Sequence, residues 1–233
     1  MADRNFNVLQ KMYYSIFKPI LFFNAIKDEN FSSTFLYLIF IQFVGSLMYV
    51  YLLLTILQRY VDKGIYLLGD VFVLFISYGL FALSFLAISG FYHVYVKSIG
   101  GVSNYNDTFK ALVYGFMPTL FAGNTIFTYM FFAESLPAIF GIILFIFLLI
   151  SMIGSYYGIY LVIKAVSFFH KIPAVNYPLW FITFLAWFFV ITSVSLFSLS
   201  WFLGSSMFAA AVVGNPEVMI RITDSLLHNA TKV

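Results

Sequence analysis

The sequence predicts an all-α membrane protein, a bundle of five transmembrane helices preceded by an N-terminal interfacial amphipathic helix. Five long apolar stretches fill most of the 233 residues, and the charged residues fall almost entirely between them. Hydrophobic residues make up 63% of the chain and charged residues only 9%, where a soluble domain carries about 25% charged residues. The stretches are also long enough. A bilayer core of about 30 Å needs roughly 20 apolar residues in a helix that rises about 1.5 Å per residue, and residues 35–57 form such a run.

The organisation expected is a cytoplasmic arm at 1–32, a five-helix transmembrane domain at 33–213 and a short extracytoplasmic tail at 214–233. In the arm, Phe6, Leu9, Tyr13, Ile16 and Phe17 share one helical face and Asn7, Lys11, Ser15 and Lys18 the other. That pattern predicts a helix lying in the membrane interface, with its lysines toward lipid phosphates. Pro19 ends it, because a proline disfavours helical geometry in the residue before it. A short apolar patch, 20–26, follows, and Lys27-Asp28-Glu29-Asn30 returns to water.

Span one is expected at 33–57, then a connector carrying Arg59, Asp62 and Lys63. Span two, 66–95, is opened by Asp70 and closed by His93 and Lys97. The loop 98–108 holds Gly100-Gly101, which favours a tight turn needing positive φ over a phosphate cradle; Asn106 or Asp107 is expected to cap the next helix. Span three, 109–132, contains Pro118, which removes a backbone donor and predicts a kink. Span four, 137–164, opens at Pro137, a residue suited to a first helical turn. Span five starts at Pro178 and stays apolar to Val213, too long for one simple crossing, so it must tilt, break near Gly204-Ser205 or extend beyond the bilayer. Asn215-Pro216 predicts the start of a short C-terminal helix.

Five spans place Arg4, Lys11, Lys18, Lys27, Lys97, Lys110, Lys164 and Lys171 on one side, and Arg59, Lys63, Arg221 and Lys232 on the other. The excess of basic residues puts the first side, and the N-terminus, in the cytoplasm. The net charge of +3 is spread out and forms no basic stripe for nucleic acid. The chain has no cysteine, which excludes disulfides and thiolate chemistry. No His-Glu-x-x-His pair, nucleophile elbow or phosphate-binding loop occurs, so no catalytic or metal site is expected.

Small residues recur at helical spacing: Gly154 and Gly158 in span four, and Gly115, Thr119 and Gly123 around Pro118 in span three. Such spacing lets helices approach closely, and packing within one bundle is favoured over a dimer face. Gln42 and Asn124 are uncharged polar residues at depth, and no carboxylate sits near the middle of a span, which lowers the expectation of ion-coupled transport.

Three segments carry a family resemblance. Lys18-Pro19-Ile20-Leu21-Phe22-Phe23-Asn24-Ala25-Ile26 places a proline and paired aromatics before the first span. The stretch from Gly90 through His93, Lys97 and Gly100-Gly101, continuing as Tyr105-Asn106-Asp107-Thr108-Phe109-Lys110 to Pro118, combines a histidine at a span end, a double glycine and a proline-bearing span. The stretch from Gly158 through Lys164 to His170-Lys171-Ile172-Pro173-Ala174 ends a helix on a histidine. Together, over residues 17–204, these segments resemble the Yip1-domain family of five-span membrane proteins. The resemblance implies a cytoplasmic N-terminus. Eukaryotic relatives act in vesicle traffic and bind small prenylated GTPases and one another. This chain has a shorter arm, lacks their Asp-Leu-Tyr-Gly-Pro signature, and is similar instead to compact archaeal or bacterial members.

The candidate partner-binding residues are His93, Lys97, Gly100, Gly101, Asp107, Lys110, Lys164, His170 and Lys171, all expected at the cytoplasmic surface. They point to a non-enzymatic membrane-organising or trafficking-type adaptor in the cell membrane. The alternative is a small transporter, channel or lipid-moving protein with a path beside Pro118, Asn124 and hydroxyl-rich span five. Expected partners are membrane lipids, a membrane or cytoplasmic protein, and a second copy of the chain; no nucleic acid and no cofactor is expected.

Overall fold

The structure, a computed structural model, describes residues 7–57, 65–132 and 137–213. These form eight helices: α1 (Val8–Phe17), α2 (Pro19–Ala25), α3 (Phe31–Leu57), α4 (Ile65–Ser98), α5 (Tyr105–Gly115), α6 (Met117–Phe132), α7 (Ala138–His170) and α8 (Tyr177–Val213). No strand occurs among the described residues. Three stretches, Phe75–Ser98, Ala138–His170 and Tyr177–Phe197, are long and apolar enough to cross a membrane, and Phe31–Leu47 is a shorter apolar helix. The connector with Arg59, Asp62 and Lys63, and the tail with Asn215-Pro216, lie outside the described residues.

α5 and α6 form the axis of the bundle. Every residue from Thr108 to Leu120 is buried, and α6 packs against α3, α7 and α8 while α5 packs against α3, α4 and α7. Small residues make this central position available. Gly115 lies so near α7 that a Cβ there would stand 2.8 Å from the Val162 amide nitrogen and Cα, and one on Gly158 would stand 2.8 Å from Thr119 Oγ1. A Cβ on Gly123 would meet Val194 of α8 at 2.7 Å, whereas Gly154 has ordinary room, 3.5 Å from Pro118 Cβ. The axis is interrupted at Phe116, whose amide bonds the Leu112 carbonyl at 2.8 Å and whose carbonyl accepts from Leu120 at 3.0 Å. The interruption falls two residues before Pro118, where the missing N–H and the ring's demand on the preceding turn weaken the helical ladder.

α8 runs without interruption through Gly204-Ser205 for 37 residues, about 55 Å at helical rise. α7 changes environment along its length. Ile139, Ile142, Ile146, Ile150 and Ile153 face outward, while Gly158, Leu161, Val162, Ala165, Val166 and Phe169 are buried. For a helix in lipid an outward isoleucine costs nothing, since the surrounding chains are as apolar as the side chain.

α1 starts with a reciprocal cap, Asn7 Oδ1 accepting from the Gln10 amide at 2.8 Å and Gln10 Oε1 accepting from the Asn7 amide at 3.1 Å. The middle of its polar face turns inward, while Asn7 and Lys18 at its two ends are exposed. Ser15 is buried against Met117, and Lys11 reaches Glu29 and Tyr114, while Tyr13 and Phe17 face outward. The Lys11 ammonium therefore serves the bundle and not lipid phosphate, because a carboxylate stands within its reach. Pro19 does double duty: α1 stops before it, and it opens α2 in the first helical turn.

Candidate functional site

At one end of the bundle the chain brings together α4, α5, the C-terminus of α7 and two loops. Asn104 caps α5, its side chain accepting from the Asp107 amide at 3.1 Å. The expected cap at Asn106 or Asp107 is thus displaced by two or three residues, and Asp107 falls in the first turn, where its charge suits the helix N-terminus. From there Thr108, one turn into α5, points between two imidazoles. His93 Nδ1 lies 2.7 Å from Thr108 Oγ1, and His170 Nε2 lies 2.8 Å from the same oxygen.

A hydroxyl owns one proton. If Thr108 donates it to one ring, it must accept from an N–H of the other, so the Thr-facing nitrogens of neutral His93 and His170 hold opposite roles. The hydroxyl couples the tautomers of two residues 77 positions apart in sequence, and ties α4 to α7 through α5. His170 is fully buried, and its other nitrogen, Nδ1, has no hydrogen-bond partner among the described residues.

That nitrogen faces the double glycine. Gly100 has φ 100°, which L side chains rarely adopt. A Cβ on Gly101 would stand 2.8 Å from His170 Nδ1 and 2.7 Å from Val96 Cγ1. The Gly101 amide bonds the Val96 carbonyl at 2.9 Å, so it is committed to a helix end and not offered to a phosphate. The loop is also sewn to α7. Ser103 Oγ donates to the Phe169 carbonyl at 2.7 Å, and the Val102 amide to the His170 carbonyl at 3.4 Å. Lys171 follows with φ 57°, ending α7 in the left-handed region.

A second cluster binds the arm to α5. Lys110 is buried, with its ammonium 2.8 Å from Asp107 Oδ1, 2.5 Å from the Lys27 carbonyl, 3.4 Å from the Ile26 carbonyl and 5.2 Å from the Phe169 ring centre. Asn106 Nδ2 donates to the Glu29 carbonyl at 3.0 Å. Glu29 accepts from Tyr114 Oη at 2.8 Å, from Ser33 Oγ at 2.5 Å and from the Lys11 ammonium. The carbonyls of the 26–29 turn thus find their donors on α5, as buried acceptors must.

The structure therefore divides the candidate residues. His93, His170, Gly100 and Gly101 meet around Thr108 and the loop; Lys97 joins them weakly, its Nζ 3.4 Å from the Val102 carbonyl. Asp107 and Lys110 form a pair turned toward the arm. Lys164 stands apart, its ammonium over the Tyr160 ring at 5.4 Å. Lys110, His170 and Gly101 are buried, while Lys97, Gly100 and Lys171 are exposed. Sequence reasoning missed Thr108, Glu29 and Tyr114. Glu29 was legible as a carboxylate close to the first span, but beyond Ser33 its partners Lys11 and Tyr114 lie 18 residues before it and 85 after it, with no local periodicity to connect them.

Replacing Thr108 by valine keeps the shape and removes the shared hydroxyl. His93 is half-exposed and can turn to solvent; His170 is left buried without any partner. The expected cost is about 1–3 kcal/mol, read as a lower unfolding midpoint in detergent, with Thr108→Ser restoring it. An unchanged midpoint for Thr108→Val would show that the two imidazoles gain nothing from the bridge.

A family model described as Yip1 domain matches residues 13–197. No curated protein and no solved structure matches the chain.

Proposed function

This chain belongs to the Yip1 domain family, and on that premise we propose that it is a non-enzymatic membrane-organising or trafficking-type adaptor that engages a protein partner through one end of its bundle. The proposal includes five crossings, formed by α3, α4, the α5–α6 pair, α7 and α8, with the N-terminus and the end carrying His93, Thr108 and His170 in the cytoplasm. The basic-residue excess on that side supports this orientation.

The observation that carries the reading is the pair of loops 99–104 and 171–176. The bonds from Val102 and Ser103 to the last carbonyls of α7 hold them against each other. With the adjoining ends of α4 and α8 they expose Lys97, Gly100, Val102, Lys171, Val175 and Tyr177, the last at 86%. A fixed, mixed apolar and cationic surface suits protein recognition, because little loop entropy is lost on binding. The buried imidazole bridge, the Lys110–Asp107 pair and Gly101 are the support under this surface rather than its contact points. At depth, Asn124 Nδ2 donates to Gln42 Oε1 at 3.3 Å and to the Leu120 carbonyl at 2.9 Å, so these amides serve helix packing.

The test is crosslinked affinity purification from native membranes with the intact chain and with Lys97→Glu/Lys171→Glu. A stoichiometric protein recovered with the intact chain and lost with the variant is expected. Recovery of the same proteins by both would sink the reading.

A further inference from the structure

The arm makes a second surface, independent of the adaptor reading. α1 passes from the end of α5 to the start of α6, and α2 returns beside α1 and against α7. Lys11 meets Tyr114 and Ser15 meets Met117; then Phe22 packs on Tyr114, 4.9 Å between ring centres, and the Lys27 carbonyl reaches Lys110. The arm is therefore a hairpin with Lys18 at its tip. The tip is tied to α7, since Tyr157 Oη donates to the Ile16 carbonyl at 3.0 Å.

The inner face of this hairpin is satisfied by Phe22, Phe23, Ser15 and Lys11. The outer face is not: Tyr13, Phe17, Ile20 and Leu21 are 52%, 67%, 62% and 46% exposed. Lys18 is exposed as well, with its ammonium over the Tyr14 ring at 5.9 Å. On α7, Tyr160 stacks on Tyr157 at 5.7 Å, and the Lys164 ammonium lies over Tyr160. Helical side chains lean toward the N-terminus of their helix, so Lys164 reaches back along α7 toward the tip. From Ala138 to Tyr157 α7 rises about 28 Å, close to the thickness of a hydrocarbon core. A hydrocarbon core counted from Ala138 would therefore end near Tyr157, beside the tip.

We propose that the α1–α2 tip and the Tyr157–Lys164 stretch of α7 form a headgroup site for an anionic phospholipid, with Lys18 and Lys164 holding the phosphate and Phe17, Ile20 and Leu21 packing on its acyl chains. Charge complementarity selects the occupant: two cations lie over tyrosine faces, and the exposed apolar side chains of Phe17, Ile20 and Leu21 flank Lys18 in the arm. Lys11 cannot serve, because Glu29 neutralises it; this leaves Lys18 and Lys164 as the cations of this face among the described residues.

The test is native mass spectrometry of the full chain released from vesicles of phosphatidylglycerol and phosphatidylcholine. The intact protein is expected to retain phosphatidylglycerol in preference, and Lys18→Gln/Lys164→Gln to retain about tenfold less. Lys97→Gln/Lys171→Gln, at the loop end, is expected to retain as much as the intact chain. Lys18→Arg/Lys164→Arg is expected to restore binding, which a merely unfolded arm would not do. Equal retention by the intact chain and Lys18→Gln/Lys164→Gln, equal loss in both glutamine pairs, or no preference for the anionic lipid would each overturn the proposal.

Discussion

Replacing Glu29 by alanine is expected to release the N-terminal hairpin from the bundle. Its carboxylate takes the Lys11 ammonium, the Tyr114 hydroxyl and the Ser33 hydroxyl, and the Lys11 and Glu29 side chains are only 14% and 10% exposed. Without the carboxylate, a mostly buried ammonium keeps, among the described residues, the Tyr114 hydroxyl at 3.1 Å and the Tyr37 and Tyr114 ring faces, each 5.7 Å away. An uncompensated buried charge costs about 3–5 kcal/mol. The same reasoning makes the pair a poor source of net stability, since both ions lose water. Lys11→Met with Glu29→Gln should therefore recover most of the loss.

The loss is expected to be local. α1 and α2 join the remaining helices through this cluster, the Lys110 carbonyl contacts, the Tyr157 bond and the buried Phe22 and Phe23, whereas the long helices pack on one another. Hydrogen exchange should rise over residues 8–25 in Glu29→Ala and stay unchanged over α4 and α8. Uniform exchange across all helices would show that the cluster holds the whole bundle and not the arm. Exchange identical to the parent protein would show that the carboxylate bears no weight.

Gly115→Ala is the second large effect. The added methyl would overlap Val162 Cγ2 and stand 2.8 Å from the Val162 backbone. A side-chain tip can rotate away, but the α7 backbone cannot move without shifting its other contacts on α5 and α6. Overpacking of this kind costs about 1–3 kcal/mol and more where backbone must move. The unfolding midpoint in detergent should fall clearly for Gly115→Ala. Gly154→Ala, where the new methyl would stand 3.5 Å from Pro118 Cβ, should leave it nearly unchanged. Equal midpoints for the two variants would contradict the close approach of α5 and α7.

The two glycines look alike in sequence, each part of a small-residue pattern, and only the packing separates them. Nothing local says that the Gly115 side of α5 meets a neighbouring backbone while the Gly154 side of α7 is left with room. The same holds for the histidines. Their positions near helix ends were legible, because apolar runs stop beside them, but a threonine between them was not. Thr108 belongs to no motif, and its role exists only once α4, α5 and α7 converge. A helix at 8–17 was legible in the sequence, but the partners of its polar residues were not. Lys11 turns into the protein because Glu29 and Tyr114 stand within its reach.

The sequence by itself determined that this is an all-helical membrane protein, because apolar run length, charge placement and helix-breaking residues are local properties that lipid reads directly; its family was carried by three short motif segments and the family-model match. Only the tertiary structure decided that α5–α6 is the axis, that Glu29 anchors the arm, that Thr108 joins two imidazoles, and that Lys164 lies over Tyr160 and apart from the loops. Those outcomes depend on which helices touch and at what height. In lipid that choice is made by close packing and by pairing of buried polar groups, which are relations between distant residues and not properties of any one segment.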